Sequence, residues 1–304
     1  MLVFTAAGKG GAGQTVTGCN MAYQLALKGE DVAYLDFDFG RPSAGATFDI
    51  DAAARGVTRD GVRSFLLGGG PRPVVLDVAT RTAGAALRNR PPGAGRLVLL
   101  PGDRGARWFG RTAEIVQRCS ELFLRTESEY SVTVVDLGSG RTVAVDLVLE
   151  VMARPEMRNI VARWLVVHQW TRLHVDAAGD FVHGPSGLLD TARHTGLDPA
   201  AVERALRFVR CIVADKASLG RFGQVAQQAW QAEMDAELRN FAAEQQLGIG
   251  AVLGTVPFDP VLKLREQIIT GFDVASVQIA RQDTVEAYAS LARRLSDHQA
   301  WETL

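Results

Sequence analysis

The chain has 304 residues, 47% hydrophobic and 22% charged, the proportions of an ordinary folded protein and not of a disordered or fibrous one. Its 33 Lys and Arg against 34 Asp and Glu leave a net charge of -1, so no overall field draws it to nucleic acid or anionic lipid. Cys19, Cys119 and Cys211 form no C-x-x-C pair, which argues against a zinc ribbon or disulfide framework; Cys19 falls in the first helix, and Cys119 and Cys211 are expected to fill core positions. With no signal-peptide pattern and no apolar run of roughly 18 to 20 residues, a cytoplasmic protein is expected.

In chain order, LVFTAA (2–7) reads as a strand, followed by the glycine-rich GKGGAGQT. TVTGCNMAYQLALKGE (15–30) then has apolar residues at helical spacing, with Gly29 placed to close the helix. DVAYLDFD (31–38) is the second strand. Residues 50–95 are loop-rich, with GGGPRP and RNRPPGAG flanking a short helix. RLVLLPG (96–102), YSVTVVDLG (130–138) and ARWLVVHQ (162–169) are further strands, with helices expected over 106–129 and in RPEMRNIVA. Residues 178–198 read as an irregular insertion. A helix over about 199–207 leads to the strand VRCIVADK (209–216), a helix over 223–246 to the strand IGAVLGTVPFD (249–259), and a last helix runs from Asp283 to about His298. The strands are rich in Val, Leu and Ile with little polar alternation, as strands buried on both faces are. This alternation predicts one α/β domain over 1–304, a doubly wound, mostly parallel sheet of about seven strands with helices on both faces.

The first turn carries the chemistry. Glycines between a strand and a helix let successive N–H groups curl inward, and the helix adds its positive end, so anionic phosphate is the natural guest. Gly8 and Gly13 occupy the glycine positions of G-x-x-x-x-G-K-[ST], and Thr15 the hydroxyl position that would hold magnesium. Gln14 stands where the lysine is expected. The cradle would comprise Gly8, Lys9, Gly10, Gly11, Ala12, Gly13, Gln14, Thr15 and Val16.

KGGAGQT resembles the K-G-G-x-G-K-T loop of the deviant Walker A ATPases related to ParA and MinD, except at Gln14. The resemblance extends through YLDFDFGRPSAG, VTVVDLGSG and GIGAVLGTVPFDPVLKLREQ, and so covers most of the chain. It implies that Lys9 is the signature lysine reaching across a nucleotide-sandwich homodimer to the partner's phosphates. Asp38 would orient the attacking water near magnesium, Asp136 would sit near magnesium through water, and Pro257 to Asp259 would lie beside the base. Asp215 falls where relatives often have a base-contacting Asn. Asp suits adenine or guanine, so the purine stays open. Taken singly, an Asp at a strand end also serves as a cap or turn former. Several at the carboxyl edge of a parallel sheet, where ligands bind, are better explained together.

The resemblance thus implies ATP or ADP with Mg2+, a homodimer and a partner protein still to be identified. A neutral Gln14 could offer the phosphates one hydrogen bond and no charge. A bond to a charged group is worth roughly 1.5 to 3 kcal/mol, one or two decades of affinity. Two readings follow: a nucleotide-gated dimeric switch with slow or conditional hydrolysis, or a pseudo-ATPase scaffold that binds nucleotide weakly or not at all. DNA contact through Arg154, Arg158 and Arg163, or through Arg293 and Arg294, is not favoured. Nor is membrane contact through the last helix, whose Val285, Tyr288, Leu291 and Leu295 are expected to pack on the sheet. The five histidines show no metal-hydrolase spacing.

Overall fold

In the computed structural model the described residues are 1–105, 109–213 and 225–302. Eight strands form one sheet: β1 (Leu2–Ala7), β2 (Val32–Asp36), β3 (Leu76–Asp77), β4 (Leu97–Leu100), β5 (Val132–Ser139), β6 (Ala162–Gln169), β7 (Leu206–Val213) and β8 (Val252–Pro257). Their order is β3-β4-β2-β5-β1-β6-β7-β8. Every neighbouring pair is parallel except β3 with β4. The strand beyond the expected seven is β3, two residues long at the sheet's edge and too short to show a hydrophobic period.

The longer helices are α1 (Gln14–Leu27), α2 (Ala113–Glu129), α3 (Val143–Met152), α4 (Arg172–His183), α5 (Leu188–Thr195), α6 (Val225–Glu244) and α7 (Gln282–Ser296). Successive strand residues point to opposite faces, and both faces are covered. Phe4, Leu35, Val135 and Val166 pack in one cluster with Val116 of α2, Leu147 of α3, Val175 of α4 and Leu188 of α5. Val3, Tyr34, Val134 and Leu165 pack in the other with Met21 of α1 and Leu291 of α7. All three cysteines are buried.

Three local expectations change. RPEMRNIVA forms only a 3-10 turn at Pro155–Met157, and the helix lies just before it as α3. Segment 178–198 is largely helical, divided between α4 and α5. The loop-rich region 50–95 contains several short helices, including Val62–Leu66, Val78–Arg81 and Ala85–Arg88.

The last helix packs as expected: Tyr288, Leu291 and Leu295 are buried, and α7 lies against both α1 and β8. Its apolar face is thereby occupied. Of the arginines considered as a patch, Arg154 pairs with Glu156 and Arg163 stacks over Trp301 at 4.4 Å. Trp164 is a core residue, whereas half-buried Trp170 donates its indole N–H to Asp235 at 2.7 Å. Among the described residues no helix is long and apolar enough to cross a membrane.

Candidate functional site

β1 ends at Ala7, and the glycine-rich turn carries the chain over the carboxyl edge of the sheet into α1. Gly11 and Gly13 have φ of 79° and 82°, a left-handed backbone that other residues adopt only with strain. Gly13 is the N-cap of α1 and no side chain caps the helix, so its first N–H groups are left to an external acceptor. Lys9, Gly10 and Gly11 are exposed, Thr15 and Val16 partly so, and Ala12 is buried. The loop from Gly11 to Val16, with Lys9, forms one wall of a cavity of about 220 Å³, which Asp38, Ser43, Gly138, Ser139 and Glu266 complete.

Gln14 lines this cavity, but its amide serves the interior. Its Nε2 donates to the Thr5 carbonyl at 2.8 Å and to Asp136 Oδ1 at 2.6 Å. Both amide hydrogens are therefore engaged beneath the loop, and the single hydrogen bond expected to reach a phosphate is directed elsewhere. Asp136 is also placed differently from the expectation. It is fully buried and lines no part of the cradle; Oδ1 accepts from Gly138 N at 3.3 Å as well, and Oδ2 from the Tyr34 hydroxyl at 2.9 Å. In this arrangement the carboxylate has no face open to a hydrated cation.

Tyr34 reaches Asp136 because position 18 is glycine: a Cβ there would stand 2.9 Å from the Tyr34 oxygen. Burial raises the pKa of Asp136 even against the hydrogen bonds from Thr15, Tyr34 and Gly138. Asp36, its register partner on β2, is raised well above the ordinary range, first by burial and then by the charge of Asp136.

The loop after β2 is organised by two carboxylates. Asp36 Oδ2 accepts from Ser43 N and Ala44 N, each at 3.0 Å, and Asp38 Oδ1 from Gly40 N at 3.1 Å and Arg41 N at 2.9 Å. Asp36 is thus structural. Asp38 faces the cradle with its second oxygen unpartnered among the described residues.

A second cavity of about 230 Å³ adjoins the first, walled by Val16, Cys211, Val256, Pro257, Phe258, Leu262 and Tyr288 among others. It is largely apolar, as suits a flat heterocycle. Pro257 lines it. Asp259 is also on its wall, but its carboxylate holds the local fold, accepting from Val261 N, Arg281 N and the Thr284 hydroxyl at 3.2, 3.0 and 2.8 Å. Asp215 lies outside the described residues. Tyr34 and Glu266 were not singled out from the sequence. Tyr34 looks like any strand aromatic, and its one sequence signal is the helical glycine at 18.

The family model described as the CobQ/CobB/MinD/ParA nucleotide binding domain matches residues 3–270. The chain belongs to this family. Among solved structures, the CobQ/CobB/MinD/ParA fold recurs in the septum site-determining protein MinD of Pyrococcus horikoshii OT3, complexed with Mg-ADP. That protein is 14% identical, with 97% of this chain and 96% of that one covered, at a TM-score of 0.56. MinD in the MinC:MinD complex of Aquifex aeolicus is 14% identical, covering 97% and 94%, with a TM-score of 0.60. A variant of Cyanothece McdA in complex with ATP is 11% identical, covering 97% and 96%, at 0.60. A search of curated proteins by sequence found no match. At these identities the structural likeness shows the fold, and the chemistry rests on the residues present.

Proposed function

We propose that this chain is a nucleotide-binding switch of the MinD/ParA kind, taking a purine nucleotide with magnesium and hydrolysing ATP slowly or only when assembled. The observation that carries this reading is the open cradle with Lys9 exposed upon it. The Lys9 ammonium has no hydrogen-bond or ion-pair partner among the described residues. The uncapped start of α1, the left-handed glycines and the adjoining apolar cavity fit phosphates and a base. Thr15 and Asp38 fit a magnesium ion at the cradle, which when bound would neutralise phosphate charge. Asp136 fits that role only if Gln14 and Tyr34 release it. Lacking a cation at position 14, one subunit stabilises transferred charge poorly, and Lys9 from a second subunit would supply what is missing. Solved structures of relatives in complex with Mg-ADP, with ATP and with MinC motivate the nucleotide and a partner protein as the output.

The test is Mg-ATP binding and turnover measured against protein concentration, with molecular mass by light scattering. Turnover per subunit should rise with concentration, and mass should double with ATP. Lys9→Ala should retain binding while losing turnover and the mass change; Asp38→Ala should retain binding and lose turnover. A second reading, a pseudo-ATPase scaffold, is supported by the bond from Gln14 to Asp136, which turns the amide at the lysine position away from the cradle. No turnover at any concentration, with mass unchanged by ATP, would establish it in place of the first.

A further inference from the structure

The two cavities meet at one place. They share Gly11, Gly13 and Val16 on one wall and Glu266 on the other. The first three present only backbone or an aliphatic side chain, so Glu266 brings the one side-chain polar group to the junction. Glu266 follows the short helix Val261–Leu264, is exposed, and has no hydrogen-bond or ion-pair partner among the described residues. In a nucleotide the group joining phosphates to base is the sugar, and a ribose carries two vicinal hydroxyls, both donors.

We propose that Glu266 is the sugar-reading residue of this site, accepting the 2′ and 3′ hydroxyls and so selecting ribonucleotides over deoxyribonucleotides. The inference rests on the nucleotide reading above. An ionised carboxylate accepts through two oxygens and donates nothing, which matches a vicinal diol. Its charge also faces the phosphates, but at an exposed position that repulsion is screened by salt within about 8 Å, whereas hydrogen bonds act at contact. Repulsion alone would weaken ribo- and deoxyribonucleotides alike, whereas a hydrogen-bonding Glu266 separates them. A hydrogen bond to a charged group corresponds to about ten- to hundredfold in affinity.

The experiment is a calorimetric titration of the full chain with Mg-ATP and with Mg-2′,3′-dideoxy-ATP, on wild type, Glu266→Ala and Glu266→Gln, with thermal melts to verify folding. Wild type should bind ATP about tenfold or more tightly than the dideoxy analogue. Glu266→Ala should lose that preference by weakening ATP while leaving the analogue unchanged, and Glu266→Gln should fall between. Equal affinities for both nucleotides in wild type, or equal changes for both in Glu266→Ala, would overturn the sugar assignment while leaving nucleotide binding intact. Failure of wild type to bind either nucleotide would overturn both readings together.

Discussion

At position 14 a neutral amide meets a carboxylate that burial has made reluctant to ionise. The pKa of Asp136 is raised above its unfolded value of about 3.9, so the folded state holds its proton longer than the unfolded state does. That contribution to stability is fully present below about pH 3.9 and is lost as pH rises through the folded pKa. Urea denaturation of Asp136→Asn beside wild type should therefore show the difference moving in the variant's favour as pH rises from about 4. Buried His168, its pKa lowered to about 4, acts with the opposite sign, losing stability as pH falls below about 6.5, which is why the variant difference and not the raw curve is diagnostic. Gln14→Lys would set an ammonium beside Asp136 and hold it ionised, so its own stability should decline less with rising pH. It should also tighten Mg-ATP by one or two decades if the new cation reaches phosphate; unchanged affinity would mean that Asp136 captures it. Tyr34→Phe removes a donor from a buried carboxylate and should cost about 1 to 3 kcal/mol in the same denaturation. The sequence made the loop, Lys9 and the strand-end aspartates legible because glycine spacing and strand ends are local signals. Tyr34 was hidden because its partner Asp136 lies 102 positions away on another strand.

The strand-to-helix turn depends on α4 as much as on its own glycines. A Cβ on Gly8 would lie 2.0 Å from the Ala177 carbonyl oxygen, in the backbone of α4, so no side-chain rotation relieves the clash. Gly8→Ala should cost about 1 to 3 kcal/mol or more, read as a lower urea midpoint. Gly10→Ala, whose Cβ would meet only the Ser139 hydroxyl at 3.4 Å, should be nearly silent. Elements were readable where a period or a turn signal marked them, as in α1, α2 and the central strands. Helix α3 escaped because VAVDLVLEVM is apolar almost all round and rich in β-branched residues: Ala144, Val145, Leu147, Val148, Leu149 and Val151 are all buried. Packing on several sides decides such a segment, and intrinsic propensity does not.

Across the whole molecule the doubly wound, mostly parallel sheet was legible from alternating strands and helices, but the order of the strands and which helix covers which face were not. The first long helix and the last are neighbours: α7 lies on α1 and on β8, with Leu291 seated over Gly254, where a Cβ would stand 2.6 Å from its Cδ2. Leu291→Ala should cost about 2 to 5 kcal/mol, measured by denaturant unfolding, because the cavity would open between three elements. This neighbourhood also governs the order of events during synthesis. A chain growing from its amino end makes the glycine-rich turn early, yet α1 acquires its outer cover, α7, only when residues 282–296 have left the ribosome. Until then α1 is packed on its sheet side, against β1, β2 and β5. The helix that opens the cradle therefore gains its outer packing only in the assembled fold.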